Sequence, residues 1–134
     1  MAKKPTSAES ILKPCPNRLN CVSSLAKNRA HFVEPLRYKG SPKTARRVLM
    51  KILRELPGAS VKEVKGNYIH MECRSRLLRF RDDLELFFDE AESLIHVRSA
   101  SRVGYWDLGA NRRRVAAVRK AFDSQLAGAK SKKK

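Results

Sequence analysis

No stretch of this sequence approaches the roughly 18 consecutive apolar residues of a membrane span, so none is expected. No apolar stretch follows the basic start Met1-Ala2-Lys3-Lys4-Pro5, which argues against a secretory signal and makes a cytoplasmic location the default expectation. Aromatic residues make up only 7% and tryptophan occurs once, so the core must be mostly aliphatic. There is no Gly-rich recognition loop, no zinc-finger spacing, no helix-turn-helix signature and no internal repeat. Neither a cofactor nor a metal site is therefore expected. Carboxylates are scarce: 13 Asp and Glu stand against 30 Lys and Arg, a formal net charge of +17. Six of those charges lie on Lys3, Lys4, Lys130, Lys132, Lys133 and Lys134, and the rest of the chain is still basic. Such a field attracts anionic partners without specifying one.

Cysteine is also sparse. Cys15 and Cys21 lie close together in a Pro/Asn-containing segment, and Cys73 lies far away in an apolar-patterned strand. Free thiols are the expectation for a reducing compartment. A Cys15–Cys21 disulfide and a metal site completed by distant residues stand as alternatives.

What is present suffices for one domain: 134 residues, 42% of them hydrophobic. Residues 1–14 read as a flexible basic leader, 15–128 as a single α+β domain and 129–134 as a Lys-rich tail. Residues 15–30 show little periodicity and read as a loop. Phe32, Glu34, Leu36 and Tyr38 suggest a short edge strand from His31 to Tyr38, kept off the sheet centre by Pro35. Ser41 as N-cap and Pro42 at the first position open a helix over 42–56. Its apolar stripe is Ala45, Val48, Leu49, Ile52, Leu53 and Leu56, and Pro57-Gly58 stops it. Four segments follow as an antiparallel meander: Ala59–Val64, Tyr68–Ser75, Phe80–Asp89 and Leu94–Ser99. The turn around Arg76–Arg79 separates the second from the third. A last helix runs from about 111 to 127, with Asn111 as N-cap and Val115, Val118, Phe122 and Leu126 buried. The expected architecture is an antiparallel sheet of four to five strands, in the order strand-helix-four strands-helix, with both helices on one face.

The register follows from the requirement that one face be apolar. It opposes Ile69 with Leu86, Met71 with Leu84, Cys73 with Asp82, Ser75 with Phe80, Leu86 with Val97 and Phe88 with Ile95. The other face then carries rows Tyr68-Phe87-His96 and His70-Glu85-Arg98, followed by Glu72 and Asp83 between Arg74 and Arg81. A solvated face laced with ion pairs and a ligand-binding surface both fit it. Asp82 falls on the apolar face and needs hydrogen bonds or a cation there, for which Ser101 and Arg102 are candidates. Asp82, Asp83 and Glu85 are read as a structural polar network.

Four strings carry a resemblance. They are Cys15-Pro16-Asn17-Arg18-Leu19-Asn20-Cys21-Val22-Ser23-Ser24, His31-Phe32-Val33-Glu34-Pro35-Leu36, Phe80-Arg81-Asp82-Asp83-Leu84-Glu85, and the run from Val97 to Arg114. With them the chain resembles the domain-of-unknown-function family numbered 1499, over residues 15–114. The resemblance implies no mechanism, since that family has no assigned function.

Three function classes follow from the residues. The first is a binding domain for a small anionic ligand or a protein partner, acting through Arg98, Ser99, Ser101, Arg102, Asp107, Asn111 and Arg113. The second is nucleic-acid binding, with Tyr105 and Trp106 stacking on bases. The third is an enzyme in which His70, Glu85 and His96 approach one another. Within the first reading, Arg112, Arg113 and Arg114 stand at a helix start, where cations are electrostatically misplaced. Asp107, Asp82 or Glu85, pairing with one or two of them, or an external anion held by Arg113 with Arg98 or Arg102, would compensate them.

Overall fold

The computed structural model of the chain describes residues 8–74, 80–104 and 107–132. The Arg76–Arg79 turn, the Ser75–Phe80 pairing and the stacking candidates Tyr105 and Trp106 lie outside the described residues. In chain order the elements are α1 (Ala8–Ile11), β1 (Cys21–Ser23), β2 (Leu36–Arg37), α2 (Pro42–Glu55), β3 (Ala59–Lys65), β4 (Tyr68–Arg74), β5 (Arg81–Asp89), β6 (Leu94–Ser101) and α3 (Ala110–Lys132). The strands form one antiparallel sheet in the order β1-β6-β5-β4-β3. The outer edge of β6 is shared, because Leu36 and Arg37 pair with its start and Cys21–Ser23 with its end.

The meander register is the one alternation requires. Ile69 faces Leu86, Met71 faces Leu84 and Cys73 faces Asp82. Leu86 faces Val97 and Phe88 faces Ile95. These side chains are buried under α2 and α3, whose apolar stripes form one core with them. The first long helix starts and stops for the expected local reasons. The Ser41 hydroxyl accepts the Thr44 amide at 3.1 Å. Past the end of α2, Gly58 has φ +70, and a Cβ there would lie 2.2 Å from the Arg74 carbonyl oxygen. Only glycine permits the Arg74 amide to donate to Gly58 O at 3.0 Å, the contact that ties the end of α2 to β4.

The counts differ from expectation: six strands and three helices among the described residues, not four to five and two. β1 lies in the segment read as a loop. All three of its residues are buried, so it shows no alternation to read. The strand expected over His31–Tyr38 shrinks to Leu36–Arg37. Its carbonyls go elsewhere. Arg112 donates to Phe32 O at 2.8 Å and to Ala30 O at 3.1 Å, and Arg119 donates to Pro35 O at 2.9 Å and to Glu34 O. Two guanidiniums of α3 thus replace a strand ladder. Residues 8–14, read as leader, belong to the fold: Ala8 and Leu12 are buried with Phe87 on the sheet face opposite α2 and α3. α3 runs to Lys132, into the segment read as tail.

The expectation of free thiols at the N-terminal pair is corrected. Cys15 and Cys21 form a disulfide with Cα atoms 5.6 Å apart, which joins residues 8–15 to the first residue of β1. Cys73 is free, and burial pushes its thiol pKa up. No helix among the described residues is long and apolar enough to cross a membrane.

Candidate functional site

β5 and β6 project alternate residues to opposite faces, so the expected site residues part into two groups. Asp83, Glu85, Arg98 and Arg102 go to the open face, whereas Asp82, Ser99 and Ser101 go to the helix side. The two groups therefore stand on opposite faces of the sheet.

The open face is an ion-pair lattice. Tyr68 OH donates to Glu85 Oε2 at 2.5 Å, and Arg98 Nη1 donates to Glu85 Oε1 at 3.2 Å. Arg102 grips both oxygens of Asp83 at 2.9 and 3.0 Å, and His70 Nε2 lies 2.8 Å from Asp83 Oδ1. Glu72 sits among Lys62, Arg81 and Arg102. The Arg102 guanidinium holds the Asp83 carboxyl below the usual carboxylate range, and Lys62 does the same for Glu72. Burial and the Glu85 carboxylate raise the Tyr68 hydroxyl. His70, Glu85 and His96 each have a different partner, since His96 Nδ1 lies 3.0 Å from Ser24 Oγ. His70 and Glu85 are cross-strand partners, but no hydrogen bond joins the three groups among the described residues.

Two groups make this face acid-sensitive in a stated order. Burial lowers the His96 pKa, while Asp89 and Glu9 oppose it less strongly. A base with a lowered folded pKa contributes stability above its unfolded value, about 6.5. That stability is lost as pH falls from there toward the folded value. Asp83, also lowered, contributes stability above about pH 4 and loses it at still lower pH. Thermal melts from pH 7.5 down to 5 should show a fall in Tm that His96→Gln reduces. An equal fall in both proteins would contradict the assignment.

The helix side holds a buried network. Ser99 donates to Asn111 Oδ1 at 2.6 Å. The Asn111 amide faces three acceptors with two hydrogens: Asp107 Oδ2 at 2.6 Å, Ser101 Oγ at 3.0 Å and Asn20 O at 3.2 Å. Arg114 donates to Asn111 Oδ1 and to Ser99 Oγ, and its Nη2 pairs with Asp82 Oδ2 at 2.9 Å. The partner of Asp82 is therefore Arg114, one of the three arginines for which an internal carboxylate is expected, while Ser101 binds Asn111 and Arg102 binds Asp83. Arg102 points to the open face.

Asn111 is not the helix cap. α3 begins at Ala110, and Asn111 is fully buried against β6. Asp107 does the capping, because its carboxylate accepts the Gly109 amide at 2.8 Å and the Asn111 amide at 3.2 Å. The helix start thus has its anion from within the chain. The three arginines diverge as 100° per residue demands: Arg112 to the 30–32 carbonyls, Arg114 to Asp82, and Arg113 back over the loop to Leu108 O at 2.7 Å. Arg98 and Arg102 are each held by a carboxylate, Glu85 and Asp83. Gly109, at φ +79, makes room for Arg113; a Cβ there would lie 3.1 Å from Arg113 Nη1.

The model of one protein family, described as protein of unknown function (DUF1499), matches residues 11–122. The chain belongs to this DUF1499 family. No curated protein and no solved structure matches it. The four strings that carry the resemblance lie almost wholly in the disulfide loop, the 31–36 segment, β5, β6 and the approach to α3.

Two features of this family member escape sequence reasoning. One is a cleft of about 440 Å³ whose walls include Leu12, Pro14 and Cys15 on one side and Leu25, Lys27 and His31 on the other. His31 is buried, and its Nδ1 lies 2.9 Å from Cys21 O. A carbonyl only accepts, so Nδ1 carries the proton and Nε2 of the neutral ring is the acceptor. Nothing in the sequence pairs residues 12–15 with 25–31; the disulfide does. The other is an apolar end of the molecule. Leu19, Val103 and Leu108 are each more than half exposed. Asn20 Nδ2 binds Val103 O and Gly104 O, and the Asp107 amide donates to Leu19 O, which joins the three segments.

Proposed function

We propose that this chain is a binding domain for an anionic partner, engaged at the end built from residues 18–20, 102–104 and 107–113. Arg113 is the observation that carries it. Its guanidinium is exposed and, among the described residues, makes one hydrogen bond, to the Leu108 carbonyl. Neither Arg112 nor Arg113 meets a carboxylate among the described residues. Arg98, Arg102 and Arg114 all do, which removes them from the set free to hold a ligand. A guanidinium with an unused edge accepts a phosphate or carboxylate in bidentate fashion. A catalytic reading has weaker support, because no hydrogen bond links the three groups it requires among the described residues.

Titration with pyrophosphate and with a short oligonucleotide, read by calorimetry, tests the reading. Binding should weaken about tenfold in Arg113→Ala, the effect of removing one charge-assisted hydrogen bond. Binding that persists undiminished in Arg113→Ala, or no binding by wild type, would reject it. A response to the oligonucleotide alone would favour the nucleic-acid alternative.

A further inference from the structure

We infer that this end of the molecule docks on an anionic phospholipid surface, with Leu108, Leu19 and Val103 entering the interfacial layer beside Arg113. The inference rests on the anionic-partner reading above and names the partner. Leu108 is the decisive residue. It is 62% exposed, and its backbone has φ +57, the left-handed region that a residue with a Cβ rarely adopts. Folding alone gives no reason for an exposed leucine there, since Asn or Gly would fit the backbone better and water better still. Strain held at one exposed apolar residue points to use of that residue.

The surroundings decide what kind of surface it meets. Leu19 and Val103 are 56% and 58% exposed, and hydrogen bonds from Asn20 and Asp107 hold their segments together. Among the described residues the exposed apolar side chains here are aliphatic, and Arg113 lies against the Leu108 carbonyl. Aliphatic tips gain nothing from a phosphate backbone. They gain from the acyl region of a bilayer, where apolar burial and attraction of cations to anionic headgroups add. The chain's net charge of +17 gives the long-range attraction that an extended anionic surface rewards.

The experiment is co-sedimentation of the whole chain with vesicles of phosphatidylcholine, with and without phosphatidylserine. Wild type should bind the anionic vesicles and not the neutral ones. Leu108→Asn should weaken binding at least about tenfold, because the leucine side chain no longer enters the acyl region. Arg113→Ala should weaken it about fivefold, the effect of one basic residue near such a surface. Asn tolerates the left-handed conformation, so Leu108→Asn should melt at or above the wild-type temperature. A structural role for Leu108 would lower it. The inference is overturned if anionic vesicles are not bound, if neutral ones bind equally, or if Leu108→Asn binds like wild type. Pyrophosphate binding that depends on Arg113, without vesicle binding, would overturn the lipid inference and leave the anion site standing.

Discussion

Asp82→Ala should lower the stability of the fold by about 3 kcal/mol, because it leaves the Arg114 guanidinium without its carboxylate in a largely buried setting. The Asp82 side chain is 9% exposed and that of Arg114 19%. Arg114 keeps Ser99 and Asn111 as partners, both neutral. For a chain of this size the loss corresponds to a fall in Tm of roughly 10 °C. Asp82→Leu alone should be nearly as damaging, since it too strands the arginine. The double variant Asp82→Leu with Arg114→Leu should recover much of the loss, because an apolar pair needs no partners. Urea unfolding of wild type, the two single Leu variants and the double variant forms the cycle. An Asp82→Ala variant within about 0.5 kcal/mol of wild type would place the pair with weak surface bridges.

Replacing both Cys15 and Cys21 with Ser should cost about 2 kcal/mol, the loop-closure value for residues six apart. The effect should also appear at a distance, as weaker protection of the Phe87 amide. The bridge anchors residues 8–15, and Ala8 and Leu12 cover Phe87. Thiol titration of the denatured, unreduced chain should find Cys73 alone, and reductant should release the other two. Three reactive thiols before reduction would contradict the bridge.

The meander and both long helices are legible in the sequence because each obeys one period. Ala45, Val48, Leu49, Ile52 and Leu53 can face one way only on a helix, and the β4–β6 register has one solution that buries Ile69, Met71, Leu84, Leu86 and Val97 together. β1 is not legible, because a strand buried on both sides shows no alternation. The His31–Tyr38 segment misleads for a different reason. Its alternation is partial, with Leu36 and Tyr38 buried, but Arg112 and Arg119 bind the carbonyls a neighbouring strand would need.

For the site, the burial of Asp82 follows from the register and its pairing with one of the three arginines from their misplacement at a helix start, while which of the three it meets does not. Arg114 lies three residues after Asn111 and four before Val118, so its place beside the buried stripe is available from spacing alone. Asn111 and Asp107 are both good capping residues, and only the burial of Asn111 against β6 decides between them. The disulfide stays open at the level of sequence because two cysteines fix neither their distance nor their surroundings.

The binding end is tested most directly by a map of amide resonances in the isotope-labelled chain as pyrophosphate is added. Shifts should concentrate at Gly104, Leu108, Gly109 and Arg113 and vanish in Arg113→Ala, with Tyr68, His70, Asp83 and Arg98 unmoved. Shifts centred on Tyr68, His70, Asp83 and Arg98 instead would contradict the assignment and make the open sheet face the binding surface.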